Sequence, residues 1–351
     1  MVPIFIASNT GYSGRTFLSL GLAHMLIEQG YKVGYIKPLG KTPVKKGKSV
    51  YDADALFIKE TLALAEPMEA ISPYVQTYEN QTLLFDGQLK EVKKKVLAAF
   101  KTFKNKDFVI ISGAGDLFEG SILGINALSL LDDMKAYLLM VEPWRGESSA
   151  DLLFGASKLL GDRFIGGVIN KVPLSTVSHV KNVVRPFVEK KGVRIFGVFP
   201  KDHALEAISV RELKDLLHGT VLCCDDRLDE FVENFSVGAM DVDSALNYFR
   251  RTPNKAVITG AHRSDIQLAA METSTRCIIL TGGLTTNDVV IGKAQTKGIP
   301  IISVADDTYT TIDRIEGGMG KTNIREKRKV ERVNALMTGE FDIKRFLKSL
   351  Q

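Results

Sequence analysis

The first thirty residues, MVPIFIASNTGYSGRTFLSLGLAHMLIEQG, constrain the fold more than any other stretch. Val2–Ala7 is an apolar run of strand type. Ser8–Thr16 is a loop of small residues carrying Gly11 and Gly14. Phe17–Gln29 then places Leu18, Leu22, Met25 and Leu26 at helical spacing, with Gly30 closing the helix. Strand, glycine-bearing loop and helix form the layout of a phosphate-binding loop, in which backbone N–H groups at a helix N-terminus face an anion that small residues allow to approach. A Walker A loop ends Gly-Lys-Ser/Thr, whereas this one ends Gly14-Arg15-Thr16. Arg15 keeps the charge but presents a planar fork in place of a compact ammonium. Binding is compatible with that change. Lys-like stabilisation of a transferring phosphoryl group is not expected.

The strands that follow read as Val33–Ile36, Asp107–Ser112, Ala136–Val141, Phe164–Ile169 and Val193–Val198. Helical patterns fall at Asp52–Leu64, Leu89–Phe103, Asp151–Leu160 and Val177–Lys190. Near-continuous apolar strands alternating with helices predict an α/β fold with a mostly parallel sheet covered on both faces. The rhythm changes near Leu216, where Gly219–Glu233 reads as a junction. A smaller α/β unit follows, with helices at Asp241–Arg250, Ser264–Glu272 (opened by a serine cap), Asn287–Gln295 and Thr308–Ile315. Its strands fall at Ala256–Thr259, Cys277–Leu280 and Pro300–Val304. Two terminal helices, Asn323–Met337 and Asp342–Leu350, end the chain. The expected division is residues 1–218, a linker 219–235, a second domain 236–320 and a helical tail 321–351.

Composition narrows the partners. A formal net charge of +5 over 351 residues is too mild for a nucleic-acid binder. Cys223, Cys224 and Cys277 offer no disulfide framework, and the first two read as small buried apolar groups. With no leader-like start and no apolar run of membrane-spanning length, the chain reads as cytoplasmic and free of membrane.

Several residues can carry chemistry. In a parallel sheet the strand ends face the ligand crevice, which puts Lys37 in reach of it. Asp52 and Asp54 open a helix, where the dipole favours carboxylates in any case. Thr16 stands where a Mg²⁺-ligating hydroxyl belongs. Ser112 ends the third strand, where phosphoryl-transfer enzymes carry a metal-holding acid, and a neutral hydroxyl cannot replace that charge. Asp116 or Glu119 could reach in from the next loop. Asn170 can meet a purine edge and Lys171 can stack its stem on the base, although a strand-end Asn also stabilises a plain turn. Gly317–Thr322 contains a literal Gly-Lys-Thr, but it follows a helix and reads as a helix cap and hinge. The histidines have no ligand spacing.

The ordered stretches SNTGYSGRT, VGYIKPLG, YDADAL, DFVIISGAG, GGVINKV and IFGVFPKDHAL resemble the P-loop domain of dethiobiotin synthetase and of its non-catalytic cousin at the N-terminus of long phosphate acetyltransferases. SVGAMDVDSALNYF, ITGAHRSDIQLAAMET, CIILTGG, GIPIISV and DDTYTTIDRIEGGMG resemble the DRTGG domain that follows it there. The resemblance implies that Gly11, Ser13, Gly14, Arg15 and Thr16 cradle a nucleotide. It implies that Thr16 and Asp54 hold Mg²⁺, that Lys37 matches a catalytic lysine, and that Asn170 matches an adenine-reading Asn. The loop lysine and the third-strand Glu of the synthetase are Arg15 and Ser112 here. DRTGG modules resemble adenylyl-ligand sensors, which makes Gly260–Ser264 and Thr281–Leu284 candidate ligand loops and a homodimer the expected assembly. The chain stops at Gln351, before the acetyltransferase domain of those enzymes would begin. The expectation is therefore a stand-alone nucleotide-binding regulatory or sensor protein, taking ATP or another nucleotide with Mg²⁺ and performing weak or no phosphoryl transfer. The alternatives are an ATP-dependent ligase of the dethiobiotin synthetase or cobyrinic acid a,c-diamide synthase type, and an accessory subunit of a separate phosphate acetyltransferase or other metabolic enzyme.

Overall fold

A computed structural model describes the whole chain except Lys48, residues 319–325 and Gln351. The chain divides into two compact units, Met1–Lys201 with Asn323–Gln351, and Asp202–Thr322.

The first unit is built on six parallel strands: β1 (Val2–Ala7), β2 (Val33–Ile36), β3 (Phe108–Ser112), β4 (Tyr137–Pro143), β5 (Phe164–Val172) and β6 (Ile195–Pro200). Their order is β2-β3-β1-β4-β5-β6. Parallel pairing needs both faces covered, and the strand interiors are accordingly apolar and buried. Register decides where the chemistry sits: Ile6 pairs with Ser112, Ala7 with Met140, and Pro143 with Asn170. The C-terminal ends of β1, β3, β4 and β5 therefore meet at one edge of the sheet.

Helix α1 (Arg15–Glu28) starts at Arg15, two residues before the periodicity placed it. It is apolar on most sides because it is covered twice, by the sheet and by the C-terminal helix Lys327–Glu340. A Cβ on Gly21 would lie 2.3 Å from Met337 Cγ, so the missing side chain permits that close approach. The last helix, Ile343–Lys348, adds Phe346 to a ring cluster with Phe196 and Phe341, at centroid separations of 5.6–6.1 Å. The stretch read as a terminal tail is thus part of the first unit's core.

Three elements of the long excursion after β2 were not anticipated: the hairpin Pro43–Lys46 with Ser49–Asp52, the short helix Met68–Ile71 and the helix Tyr78–Phe85. The single helix expected over Val177–Lys190 is interrupted by a π turn at Val180–Val184. Pro186 lies just beyond it and has no N–H to donate to the preceding turn.

The second unit holds a five-stranded sheet of β7 (Thr220–Cys223), β8 (Asn234–Val237), β9 (Lys255–Gly260), β10 (Thr275–Thr281) and β11 (Ile301–Ser303), ordered β7-β11-β10-β9-β8. Only β7 runs antiparallel, against β11. Strand β7 falls inside the stretch read as a linker, and the helix Val210–Leu217, counted with the first domain, also belongs to this unit. That helix is fixed by a Ser209–Glu212 capping box and packs Val210, Leu213 and Leu217 with Ile258, Ile279 and Ile302. The helix Ser264–Met271 has Arg263 at its cap position with no side-chain cap, so the expected serine cap is absent. Thr308–Gly318 is one helix, and the remainder of the Gly-Lys-Thr match lies outside the described residues. Cys223 and Cys277 are buried, Cys224 is half-buried, and all three are free thiols. Among the described residues no helix is long and apolar enough to cross a membrane.

Candidate functional site

The loop Ser8–Gly14 leaves β1 at the centre of the sheet edge and turns into α1 through Gly14. Its φ of 107° is strained for any residue with a Cβ, and a Cβ there would sit 2.1 Å from Asn170 Nδ2. Asn170 is buried in β5 and donates that amide to the Ser13 carbonyl at 2.9 Å. The residue expected at a purine edge therefore pins the loop from below. Gly11 is exposed at the loop tip. Lys171 follows Asn170 with a positive φ of 54°.

Three groups of the loop have no partner among the described residues. Helix α1 has no side-chain cap and no acidic residue in its first turn, so its leading N–H groups keep their partial positive charge. The Ser13 hydroxyl is fully buried and has no hydrogen-bond partner. The Thr16 side chain bonds to no other described residue.

Arg15 does not point away from this framework. Its Nη1 donates to the Thr10 carbonyl at 2.9 Å, to the Gly115 carbonyl at 2.6 Å and to the Ser8 hydroxyl. It ties the two ends of the loop to the turn after β3. Burial lowers its pKa from the ordinary guanidinium value, and Glu119, Asp116, Asp54 and Glu142 oppose that by their charge. The side chain standing at the Walker lysine position is thus committed to holding loops together.

The position expected of a metal-holding acid is also used internally. Ser112 is buried beside Tyr35, a fully buried ring whose pKa burial raises and Ser112 lowers. Lys37 is buried between two carboxylates, with Nζ 2.8 Å from both Asp52 Oδ1 and Asp54 Oδ2. Asp52 is saturated: Oδ1 also accepts from the N–H groups of Asp54 and Ala55, and Oδ2 from those of Lys41 and Thr42. Glu119 pairs with Lys41 and accepts from the Gly115 N–H, while Asp116 accepts from Phe118 and Glu119 N–H groups in its own turn. Asp54, the acid implied as a Mg²⁺ donor beside Thr16, turns Oδ2 to the Lys37 ammonium, and the third-strand position Ser112 is neutral. Among the described residues no group of three His, Cys, Asp or Glu side chains stands together as a metal site.

Glu142 escaped the sequence reading as a site residue. It is fully buried at the end of β4, accepts from the Asn9 N–H at 2.7 Å, and has Arg145 at 3.4 Å. Burial raises its pKa above the usual carboxylate range. A lone acid closing the apolar run AYLLMV was the available signal.

In the second unit, the candidate loops Gly260–Ser264 and Thr281–Leu284 follow the C-terminal ends of neighbouring strands β9 and β10. Buried Gln267 donates to the Gly260 and Ala261 carbonyls and accepts from the Thr286 hydroxyl, which fixes the first loop's shape.

This is a P-loop α/β domain followed by a smaller mixed α/β domain. The chain belongs to the AAA domain family, whose model matches residues 3–209, and the DRTGG domain model matches residues 212–317. It is 24% identical over 367 residues to the phosphate acetyltransferase of Pseudomonas aeruginosa, covering 96% of this chain and 51% of that protein. It is 29% identical over 203 residues to the ATP-dependent dethiobiotin synthetase of Methanocaldococcus jannaschii, covering 56% of this chain and 77% of that one. The expected kinship with the N-terminal half of long phosphate acetyltransferases is borne out. The chain spans about half the length of the phosphate acetyltransferases it matches. Among solved structures, the MinD cell division protein of Aquifex aeolicus gives a TM-score of 0.35 at 16% identity, covering 58% of this chain and 84% of that one.

Proposed function

We propose that the protein is a nucleotide-binding regulatory or sensor protein, whose loop holds ATP or another nucleotide and transfers its phosphoryl group weakly or not at all. The observation that carries this reading is Arg15. Its guanidinium is spent on the Ser8 hydroxyl and the Thr10 and Gly115 carbonyls, while the uncapped start of α1 leaves its leading N–H groups to phosphate oxygens. The second element a phosphoryl-transfer site needs, an acid for the metal, is replaced by the neutral Ser112. A ligase reading would need Lys37 free to meet a substrate, and Lys37 is locked between Asp52 and Asp54.

Calorimetry with ATP, ADP and GTP, each with and without Mg²⁺, tests the proposal. The expected result is binding with turnover near background. Absence of binding by every nucleotide refutes it, and substrate-dependent ADP release that falls in Lys37→Ala replaces it with the ligase. A second reading is favoured by the similarity along nearly the whole chain to part of phosphate acetyltransferases: an accessory role toward a separately encoded enzyme of that kind, tested by co-purification. The homodimer implied by the DRTGG resemblance is tested by light scattering.

A further inference from the structure

How many phosphates the Ser8–Thr16 loop accepts is governed by the charges around Arg15. In a phosphate-binding loop, backbone N–H groups cradle the α- and β-phosphates, while a lysine and a Mg²⁺ ion serve the β- and γ-phosphates. The backbone half of that arrangement is kept here. Helix α1 starts with no side-chain cap and no acid in its first turn, so its leading N–H groups remain for an anion.

The cationic half is turned inward. Arg15 Nη1 donates to the Thr10 carbonyl at 2.9 Å and to the Gly115 carbonyl at 2.6 Å, so its bonds run from the loop to the turn after β3. Lys37 Nζ lies 2.8 Å from both Asp52 Oδ1 and Asp54 Oδ2. Lys41 pairs with Glu119, and Arg145 with Glu142. These four cations are matched within the protein.

Negative charge gathers at the same place. Glu119, Asp116, Asp54 and Glu142 all act on the Arg15 guanidinium through their charge, Glu119 most strongly. Glu119 accepts from the N–H of Gly115, the residue whose carbonyl accepts from Arg15. Glu142 is fully buried at the end of β4 and accepts from the Asn9 N–H at 2.7 Å, which withdraws one loop N–H from a ligand. A γ-phosphate would bring further negative charge beside these carboxylates, and like charges repel strongly where water is scarce.

We infer that the loop selects a nucleoside diphosphate over the corresponding triphosphate, an inference that rests on the nucleotide reading given above. The two phosphates of the diphosphate meet the start of α1 and the loop N–H groups. A third would have to part the Arg15 bridge and approach Glu119 while the neighbouring cations stay paired. The protein thereby responds to the ratio of diphosphate to triphosphate rather than to their sum.

The probes are ADP and ATP, each titrated calorimetrically into the full chain with Mg²⁺ and with EDTA. ADP is expected to bind about tenfold tighter than ATP, or more, in both conditions. Glu119→Gln keeps an acceptor for the Gly115 N–H and removes the charge, and Glu142→Gln does the same for the Asn9 N–H. Each should lower the ADP-to-ATP preference by about threefold or more, chiefly through tighter ATP binding. A preference below tenfold in the parent chain in either condition overturns the inference, and needs no variant to do so. A preference unchanged in both variants overturns its electrostatic origin. If neither nucleotide binds, the nucleotide reading falls and takes the preference with it, whereas equal binding of ADP and ATP strikes the preference alone.

Discussion

Gly14 and Asn170 form a pair whose coupling can be calculated before it is measured. In Gly14→Ala the backbone must hold φ near 107° with a Cβ present, a strain of about 1–2 kcal/mol. The new methyl also falls 2.1 Å from Asn170 Nδ2, so the amide swings away and the Ser13 carbonyl loses its donor. Leaving that buried acceptor unpaired costs about 1–3 kcal/mol. Gly14→Ala alone should therefore destabilise by about 2–5 kcal/mol and Asn170→Ala alone by about 1–3 kcal/mol. In the double variant the carbonyl is lost once rather than twice. The two effects should thus fall short of additivity by about 1–3 kcal/mol. Urea unfolding without nucleotide is the assay, and the single tryptophan is well placed for it: the Trp144 backbone N–H donates to the Asn170 carbonyl at 2.8 Å, so its fluorescence follows the first unit. Additive energies, or an Asn170→Ala chain as stable as its parent, would refute the pinning role. An Asn170→Ala chain of unchanged stability that confuses purines would restore Asn170 as a base reader.

The buried Lys37 makes a second prediction. Lys37→Met leaves Asp52 and Asp54 facing each other without their shared cation, which should cost about 3–5 kcal/mol in the same unfolding assay, with part regained in Lys37→Met/Asp54→Asn. A Lys37→Met chain with unchanged stability would show that the triad is not formed. In the second unit, burial pushes the Lys255 ammonium down to about 8, with Thr273 and Ser274 as its hydrogen-bond partners and no ion pair to a carboxylate among the described residues. The unfolded chain keeps the ordinary lysine value near ~10.4 and so binds more protons between the two values. Stability should rise with pH across that window, with the penalty fully present below about 8. Thermal melts at pH 7 and 10 should differ less in Lys255→Met than in the parent, and equal differences would refute the assignment.

Strands buried on both faces announced themselves as unbroken apolar runs, and Val2–Ala7 and Val33–Ile36 were legible residue for residue. The hairpin at Pro43–Asp52 was not, because its residues are mostly exposed and lysine-rich and pair only with each other. Strand β7 was hidden for a related reason: four residues on a sheet edge carry little pattern, and an aspartate cluster follows them. At the site, Arg15 and Ser112 were legible as departures from a phosphoryl-transfer loop. Their present neighbours were not, since Gly115 and Tyr35 reach them only through the folded sheet edge. Asn170 shows the limit most clearly. Its place at a strand end could be read, but the donor's target depends on the 2.1 Å space left by a glycine more than 150 positions earlier (170 − 14 = 156).

The C-terminal helices give the chain a fixed order of assembly during synthesis. Asp202–Thr322 is continuous in sequence, and all of it is synthesised before the helices that complete the first unit. The first unit is not: Met337 against Gly21, and Phe341 and Phe346 against Phe196, are encoded after that whole unit. The nucleotide-loop helix therefore waits, with one apolar side uncovered, while a complete domain is made downstream of it. Since domains generally fold as units in the order they emerge, the later-encoded unit here is the one able to finish first.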